Sequence, residues 1–278
     1  MRAHFPAALL ALALTSAPDV NAADYWSGWY AGLNGGYLFS NSNAVNTEAD
    51  PSQCEPVAGP GCTASPNYAE LFAIGATGSA PSEFDGFTFG GQVGYNSLVS
   101  DWLWGIEADI SVATSSGSGG SYTSVTPSPA FPAQPVTTTF TGERALDYLG
   151  TLRGRLGVLF SAQSLGYVTG GFAFGGADLS ASYAQDCTGC TWTNAPNFAA
   201  DTRDTLLGFT IGGGVEFAMG KSWTFKTEYL YYDLGEMALP QGVGGTASAG
   251  PISSYSIDAK AQADYDGHLV RMGVNFKF

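Results

Sequence analysis

From Val270 to the end the chain alternates, with Val270, Met272, Val274, Phe276 and Phe278 on one face and Arg271, Gly273, Asn275 and Lys277 on the other. A period of two marks a β-strand with one apolar and one polar face. Similar alternation recurs along the chain and predicts strands over 28–40, 84–98, 102–114, 145–160, 164–177, 203–218 and 222–236, before the closing strand within 264–278. In 102–114 the large residues are Trp102, Trp104, Ile106 and Ile110, opposite Glu107 and Asp109. In 145–160 the outward set is Leu146, Tyr148, Leu152, Leu156, Val158 and Phe160, and the inward set includes Asp147, Arg153 and Arg155. In 222–236, Trp223, Phe225, Tyr229 and Tyr231 oppose Lys226, Glu228, Leu230 and Tyr232.

Polar stretches rich in Gly, Ser, Asn and Pro separate these strands at 41–83, 115–144, 178–202 and 237–263, in alternation with short turns near 99–101, 161–163 and 219–221. Long and short connections alternate in that way in an up-and-down barrel whose ends lie on one side of a membrane. A soluble sandwich or a lipocalin-like barrel would show a comparable strand count. The faces separate these readings. The face with the large residues carries almost no charge, while the opposite face carries Glu107, Asp109, Asp147, Arg153, Arg155, Glu216, Lys226, Glu228, Arg271 and Lys277. Unpaired charge is costly in a dry core. A lumen in which the charges pair accommodates them. The expected fold is therefore all-β, an eight-stranded antiparallel up-and-down transmembrane β-barrel with four long extracellular loops.

An eight-stranded barrel has an interior just wide enough to be filled by side chains. The ten inward charges are expected to neutralise one another as a plug, with Arg153 and Arg155 pairing with Glu107 and Glu228. A narrow path for ions or small solutes is the alternative. Reversing the charge at Arg153 should impair folding, and a compensating reversal at Glu107 should restore it. Trp29, Trp102, Trp104, Trp223 and Phe278 fall near one end of the strands and Tyr37, Phe39, Phe87 and Tyr231 near the other, as two interfacial girdles would.

Composition narrows the classes further. Only 12% of the 278 residues are charged, 13% are aromatic, and the net charge is −14. That balance makes nucleic acid an improbable partner. Residues 1–22 read as a secretory signal peptide, with Arg2, an apolar run from Ala7 to Leu14, and small residues before a cut ahead of Ala23. The barrel then occupies 23–278. A short buried helix is the plainer reading of the same run. The four cysteines suit an oxidising compartment, with local disulfides Cys54–Cys62 and Cys187–Cys190 as the default. The spacing of Cys187 and Cys190 also fits a redox or metal motif, but it has no neighbouring histidine and no second such pair. No catalytic, cofactor or metal site is expected. The remaining enzymatic possibility is Asp266 with His268 and a loop serine, against a plain interfacial histidine. The acidic excess in the loops would either recruit divalent cations beside lipopolysaccharide phosphates or simply solvate the surface.

Several stretches resemble the small outer-membrane β-barrel family of alphaproteobacteria, porin-like surface antigens related to opacity proteins. They are Gly28-Trp29-Tyr30-Ala31-Gly32, the block from Asp147 to Gly157, the block from Lys226 to Gly235, and the terminal Val274-Asn275-Phe276-Lys277-Phe278. The resemblance implies residence in the cell outer membrane after export, and contact with outer-membrane lipid and lipopolysaccharide. It also implies recognition of the closing strand, through Val274, Phe276 and Phe278, by the barrel-assembly machinery. The implied role is that of a structural and interactive surface protein of porin-like ancestry. A narrow pore, or loop-mediated binding of an external ligand such as haemin or a host surface, are the alternatives.

Overall fold

The computed structural model describes residues 23–56, 67–114, 117–127, 135–187, 191–194, 197–248 and 252–278. The leader predicted over 1–22, and Cys62 and Cys190 of the two expected disulfides, lie outside these residues.

Among the described residues the chain forms twelve strands in one sheet, where eight were expected. They are β1 (Gly28–Ser40), β2 (Ala44–Pro56), β3 (Gly78–Pro81), β4 (Gly86–Val99), β5 (Trp102–Ala113), β6 (Gly120–Thr126), β7 (Val136–Ser161), β8 (Ser164–Cys187), β9 (Thr191–Asn194), β10 (Asn197–Ala218), β11 (Trp223–Ser248) and β12 (Ile252–Lys277). Two helices accompany them, α1 (Ala23–Trp26) and α2 (Tyr68–Ala76). Antiparallel pairing runs β1–β4–β5–β7–β8–β10–β11–β12 and returns from β12 to β1. The fold is an up-and-down, barrel-like all-β structure.

The four stretches expected as long loops are largely folded. β7 begins at Val136, β8 continues to Cys187, β10 begins at Asn197, β11 runs to Ser248 and β12 starts at Ile252. The first connection adds β2, α2 and β3, the second adds β6 and the third adds β9. The period of two persists through these stretches, but small and hydroxylated residues carry it. In β12, Tyr255, Ile257, Ala259, Ala261 and Ala263 are buried, while Asp258, Lys260 and Asp264 are exposed. Ala alternating with Ser, Asp and Lys is too weakly apolar to stand out from a solvated loop. α2 is started by a capping box, in which the Asn67 side chain accepts from the Glu70 N–H at 3.0 Å and Glu70 accepts from the Asn67 N–H at 3.0 Å.

β12 also shows how the molecule divides into two halves of opposite character. Odd-numbered residues face inward from Tyr255 to Asn275. Arg271 and Asn275 are the buried inward groups at the lower end, whereas Tyr255 to Leu269 form an apolar inner face above. The outer face inverts at the same level, with Val270, Met272, Val274 and Phe276 exposed below and polar residues above. Asp85 and Asp266 sit at this boundary and tie strand ends together. Asp85 accepts from the Ser40 N–H at 2.8 Å, and Asp266 accepts from Asn41 at 2.6 Å and Ser42 at 2.8 Å.

Two β-bulges lie near the boundary. On β7 one extra residue separates Leu146 from Tyr148 opposite consecutive residues of β8. A bulge of this kind flips the side-chain parity. Leu146 and Leu149 therefore both point inward and are buried, and Asp147 points out. This reverses the sides expected for Leu146 and Asp147, because strict alternation was carried through the bulge. The second bulge lies on β11 between Asp233 and Glu236, where Gly235 has φ +82°, a conformation that favours glycine.

In the upper half, β6–β7–β8–β10 and β3–β2–β12–β11 face one another across an apolar core with α2 wedged in it. Phe72 of α2 stacks on Tyr255 at 4.4 Å, and Phe140 meets Tyr183 at 4.8 Å. Arg144 braces the two layers, donating to the carbonyls of Ser82 at 2.9 Å and of Asp264, with its guanidinium 4.7 Å from the Phe84 ring centroid.

Candidate functional site

The lower interior holds the charged groups. β5 contributes Glu107 and Asp109, β7 Arg153 and Arg155, β10 Glu216, β11 Lys226 and Glu228, and β12 Arg271. Inward alternation on five strands brings these eight side chains to one place. Arg153 Nη2 lies 2.5 Å from Glu107 and 3.0 Å from Asp109, and its Nη1 lies 2.9 Å from Glu228. Lys226 Nζ is 2.8 Å and 2.9 Å from the two Glu107 oxygens. Arg271 reaches Asp109 at 2.9 Å and Glu228 at 2.6 Å. Arg155 reaches Glu216 at 2.6 Å and Glu107 at 3.5 Å. Arg153 thus pairs with both acids expected for it, whereas Arg155 takes Glu216 in place of Glu228.

Four carboxylates face four cations, so the cluster is formally neutral. Its charged side chains are at most 3% exposed. Charges so deeply buried persist only when paired and hydrogen-bonded. Two of the ten residues expected here lie elsewhere. Asp147, turned out by the bulge, sits 3.8 Å from Arg203 on the surface. Lys277 keeps the inward parity of β12 but lies half-buried at the strand end, where its N–H donates to the Ser222 carbonyl at 2.7 Å.

Uncharged neighbours complete the cluster. Tyr30 donates to Glu107 at 2.7 Å, Tyr167 to Glu228 at 3.0 Å, Thr151 to Asp109 at 2.5 Å and Asn275 to Glu216 at 2.9 Å. A chain of side chains runs from Ser111 to Asn34 and Gln92, and on to Asn275. Uncharged, they carry no signal of this role in the sequence beyond the inward parity each shares with its strand. Gly94 leaves room for the Tyr30 hydroxyl, which a Cβ there would strike.

Apolar layers lie on both sides of the cluster. Below it, Tyr25 and Trp26 of α1 pack with Leu103, Leu165 and Tyr167, and Trp26 Nε1 donates to the Ala162 carbonyl at 3.0 Å. Above it come Leu38, Leu149, Leu230 and Leu269, all buried. Along the axis the interior reads apolar, charged, apolar.

The other candidate groups are placed as follows. His268 Nδ1 is 2.8 Å from the Tyr229 hydroxyl, while Ser42 donates to Asp266, so the described side chains do not form a serine–histidine pair at this point. Among the described residues, no group of three or more His, Cys, Asp or Glu side chains is placed to hold a metal ion. Cys54 is partly buried against the upper core. Val274, Phe276 and Phe278 face outward, with Phe276 5.0 Å from Trp223.

An exposed apolar outer surface around a paired charged interior defines a membrane-barrel class of protein. Residues 7–278 match the family model described as the outer membrane protein beta-barrel domain, and the chain belongs to that family. It is 27% identical to the 31 kDa outer-membrane immunogenic protein of Brucella melitensis over 267 residues, covering 95% of this chain and 89% of the relative. The 22 kDa outer membrane protein of Rhizobium leguminosarum bv. viciae is 24% identical over 195 residues, 69% of this chain and 67% of the relative. Among solved structures, OprG from Pseudomonas aeruginosa is similar with a TM-score of 0.37 at 11% identity, covering 92% of this chain and 98% of that one. The protein is located in the cell outer membrane.

Proposed function

We propose that the protein is a structural and interactive surface component of the outer membrane whose barrel does not conduct. The eight-strand ring spans the bilayer, with its exposed apolar band in the hydrocarbon and the polar upper half standing outside the cell. The closed interior carries this reading: a neutral, charge-paired cluster lies between two apolar layers. A pore needs a continuous polar path, and Trp26 below and the α2 core above interrupt it. The immunogenic character of the Brucella relative agrees with display at the surface. On this reading residues 1–22 direct export, and Val274, Phe276 and Phe278 present the closing strand to the assembly machinery. The lower outer face meets membrane lipid and lipopolysaccharide. The protein acts without enzymatic chemistry, and any ligand meets the folded upper half.

Thiol labelling on intact cells tests the orientation. Thr123→Cys lies on exposed β6, and Gln163→Cys lies on the exposed turn between β7 and β8 at the opposite end. A membrane-impermeant maleimide should label Thr123→Cys above the wild-type background on intact cells, and Gln163→Cys only after permeabilisation. The reverse pattern would overturn surface display of the upper half.

A further inference from the structure

β10 and β11 pair from Ala218 and Thr224 up to Phe209 and Asp233. Above that level their pairing stops among the described residues. Among the described residues β10 continues over 197–208 with β8 as its one strand partner. β11 continues to Ser248, paired on its far side with β12 and bridged by β9 only at Thr246–Ser248. A seam therefore opens in the upper wall, along which upper β10 has no strand partner among the described residues, although the Thr205 N–H is held by the Asp204 carboxylate at 2.7 Å. Exposure agrees with this. Asp204 lies opposite buried Ala177 with the inward parity of β10, yet it is exposed, and Phe198, Ala200 and Leu206 are only partly buried against the core.

An unpaired strand edge recognises another extended backbone. The side chains at the seam specify which kind. Inward, Phe198, Ala200 and Leu206 offer an apolar surface at every second position or multiples of it. The outward border is acidic, with Asp201 exposed on β10, and Glu236 exposed and Asp233 half-buried on β11. Of the nearby cations, Arg203 is already held by Asp178 at 2.8 Å and Lys260 lies 3.6 Å from Glu236. The whole chain adds a net charge of −14.

We propose that the edge of β10 over 197–208 that faces β11, and has no strand partner among the described residues, is a docking site for an extended polypeptide segment, apolar on the side chains facing in and basic on those facing out. The segment adds as a strand in the seam between β10 and β11. This proposal rests on the reading of the upper half as the interactive part of the protein, and names its partner class. A second copy in the same membrane is a poor occupant. Rotation about the membrane normal preserves the upward direction of a strand, so it cannot bring two steep copies of β10 edge to edge in antiparallel order.

The test uses the refolded full-length barrel in neutral detergent and a synthetic peptide of alternating Val and Lys. About eight residues suffice, since a strand rises about 3.3 Å per residue. Binding is read by fluorescence anisotropy, and the docking position by amide hydrogen exchange over 197–208. The expected result is saturable binding with slowed exchange of upper β10. A Val–Glu peptide and a fully N-methylated Val–Lys peptide should each bind at least about tenfold more weakly, a difference of about 1.4 kcal/mol. Asp201→Lys with Glu236→Lys, both exposed at outward positions, should shift the preference toward the Val–Glu peptide. Equal binding of the N-methylated peptide would overturn the proposal, as would binding without protection of upper β10, or full protection of that edge before peptide is added. A silent barrel that fails to bind the peptide would remove this inference alone, whereas a conducting barrel would remove the functional reading beneath it.

Discussion

Replacing Arg153 with methionine is expected to destabilise the folded barrel by about 3–5 kcal/mol, the usual cost of removing one partner from a buried ion pair. Arg153 touches Glu107, Asp109 and Glu228, so its loss leaves four buried carboxylates against three buried cations. The measurement is the urea midpoint of the heat-modifiable gel shift, compared with wild type. Adding Glu107→Gln restores neutrality at three against three. The double variant should then lose less than the sum of the two single losses, by about 0.5–3 kcal/mol of coupling. Simple additivity would contradict the pairing. The cluster also changes one expectation from sequence. A reciprocal exchange of Arg153 and Glu107 should not rescue folding, because Glu107 also holds Lys226 and approaches Arg155 and Arg271. A cation placed there would face three others.

Phe140→Ala should cost the upper half about 3–5 kcal/mol, the range for truncating a buried aromatic. Phe140 is fully buried, with Tyr183 4.8 Å and Tyr122 5.6 Å from its ring. Its layer is separated from the charged cluster by the boundary at which both faces of the wall invert. Loss should therefore show as faster proteolysis and amide exchange in residues 136–146 and 177–187, while the lower ring keeps its heat-modifiable mobility. Equal loosening of both halves would mean that they fold as a single cooperative unit. No change in either half would mean that Phe140 is not a core residue.

Much of the lower half was legible because lipid-facing positions must be apolar and lumen-facing ones need not be. That contrast makes the alternation in β1, β5 and β12 conspicuous, and all eight cluster charges are among the ten residues it assigns to the interior. The upper half escaped for the opposite reason. There water lies outside and the apolar core inside, and much of that core is built from Ala and Tyr. Ala259, Ala261 and Ala263 fill a thin space between two layers, and three alanines among Asp, Lys and Gln resemble a solvated loop. Asp147 was misplaced because one inserted residue reverses every side chain beyond it, and a bulge has no strong composition of its own in the stretch Leu146-Asp147-Tyr148. Trp26 was missed as a lower seal because it precedes the first alternating strand. Only its contacts with Leu103 and Leu165 reveal what it covers.

Whether the interior is closed can be read from single-channel recordings of refolded residues 23–278 in a planar bilayer. Folding is confirmed beforehand by heat-modifiable mobility. A folded barrel should insert without steady current. Steady ohmic openings would show a continuous water path through the cluster, and would make the eight charges a selectivity filter in place of a plug.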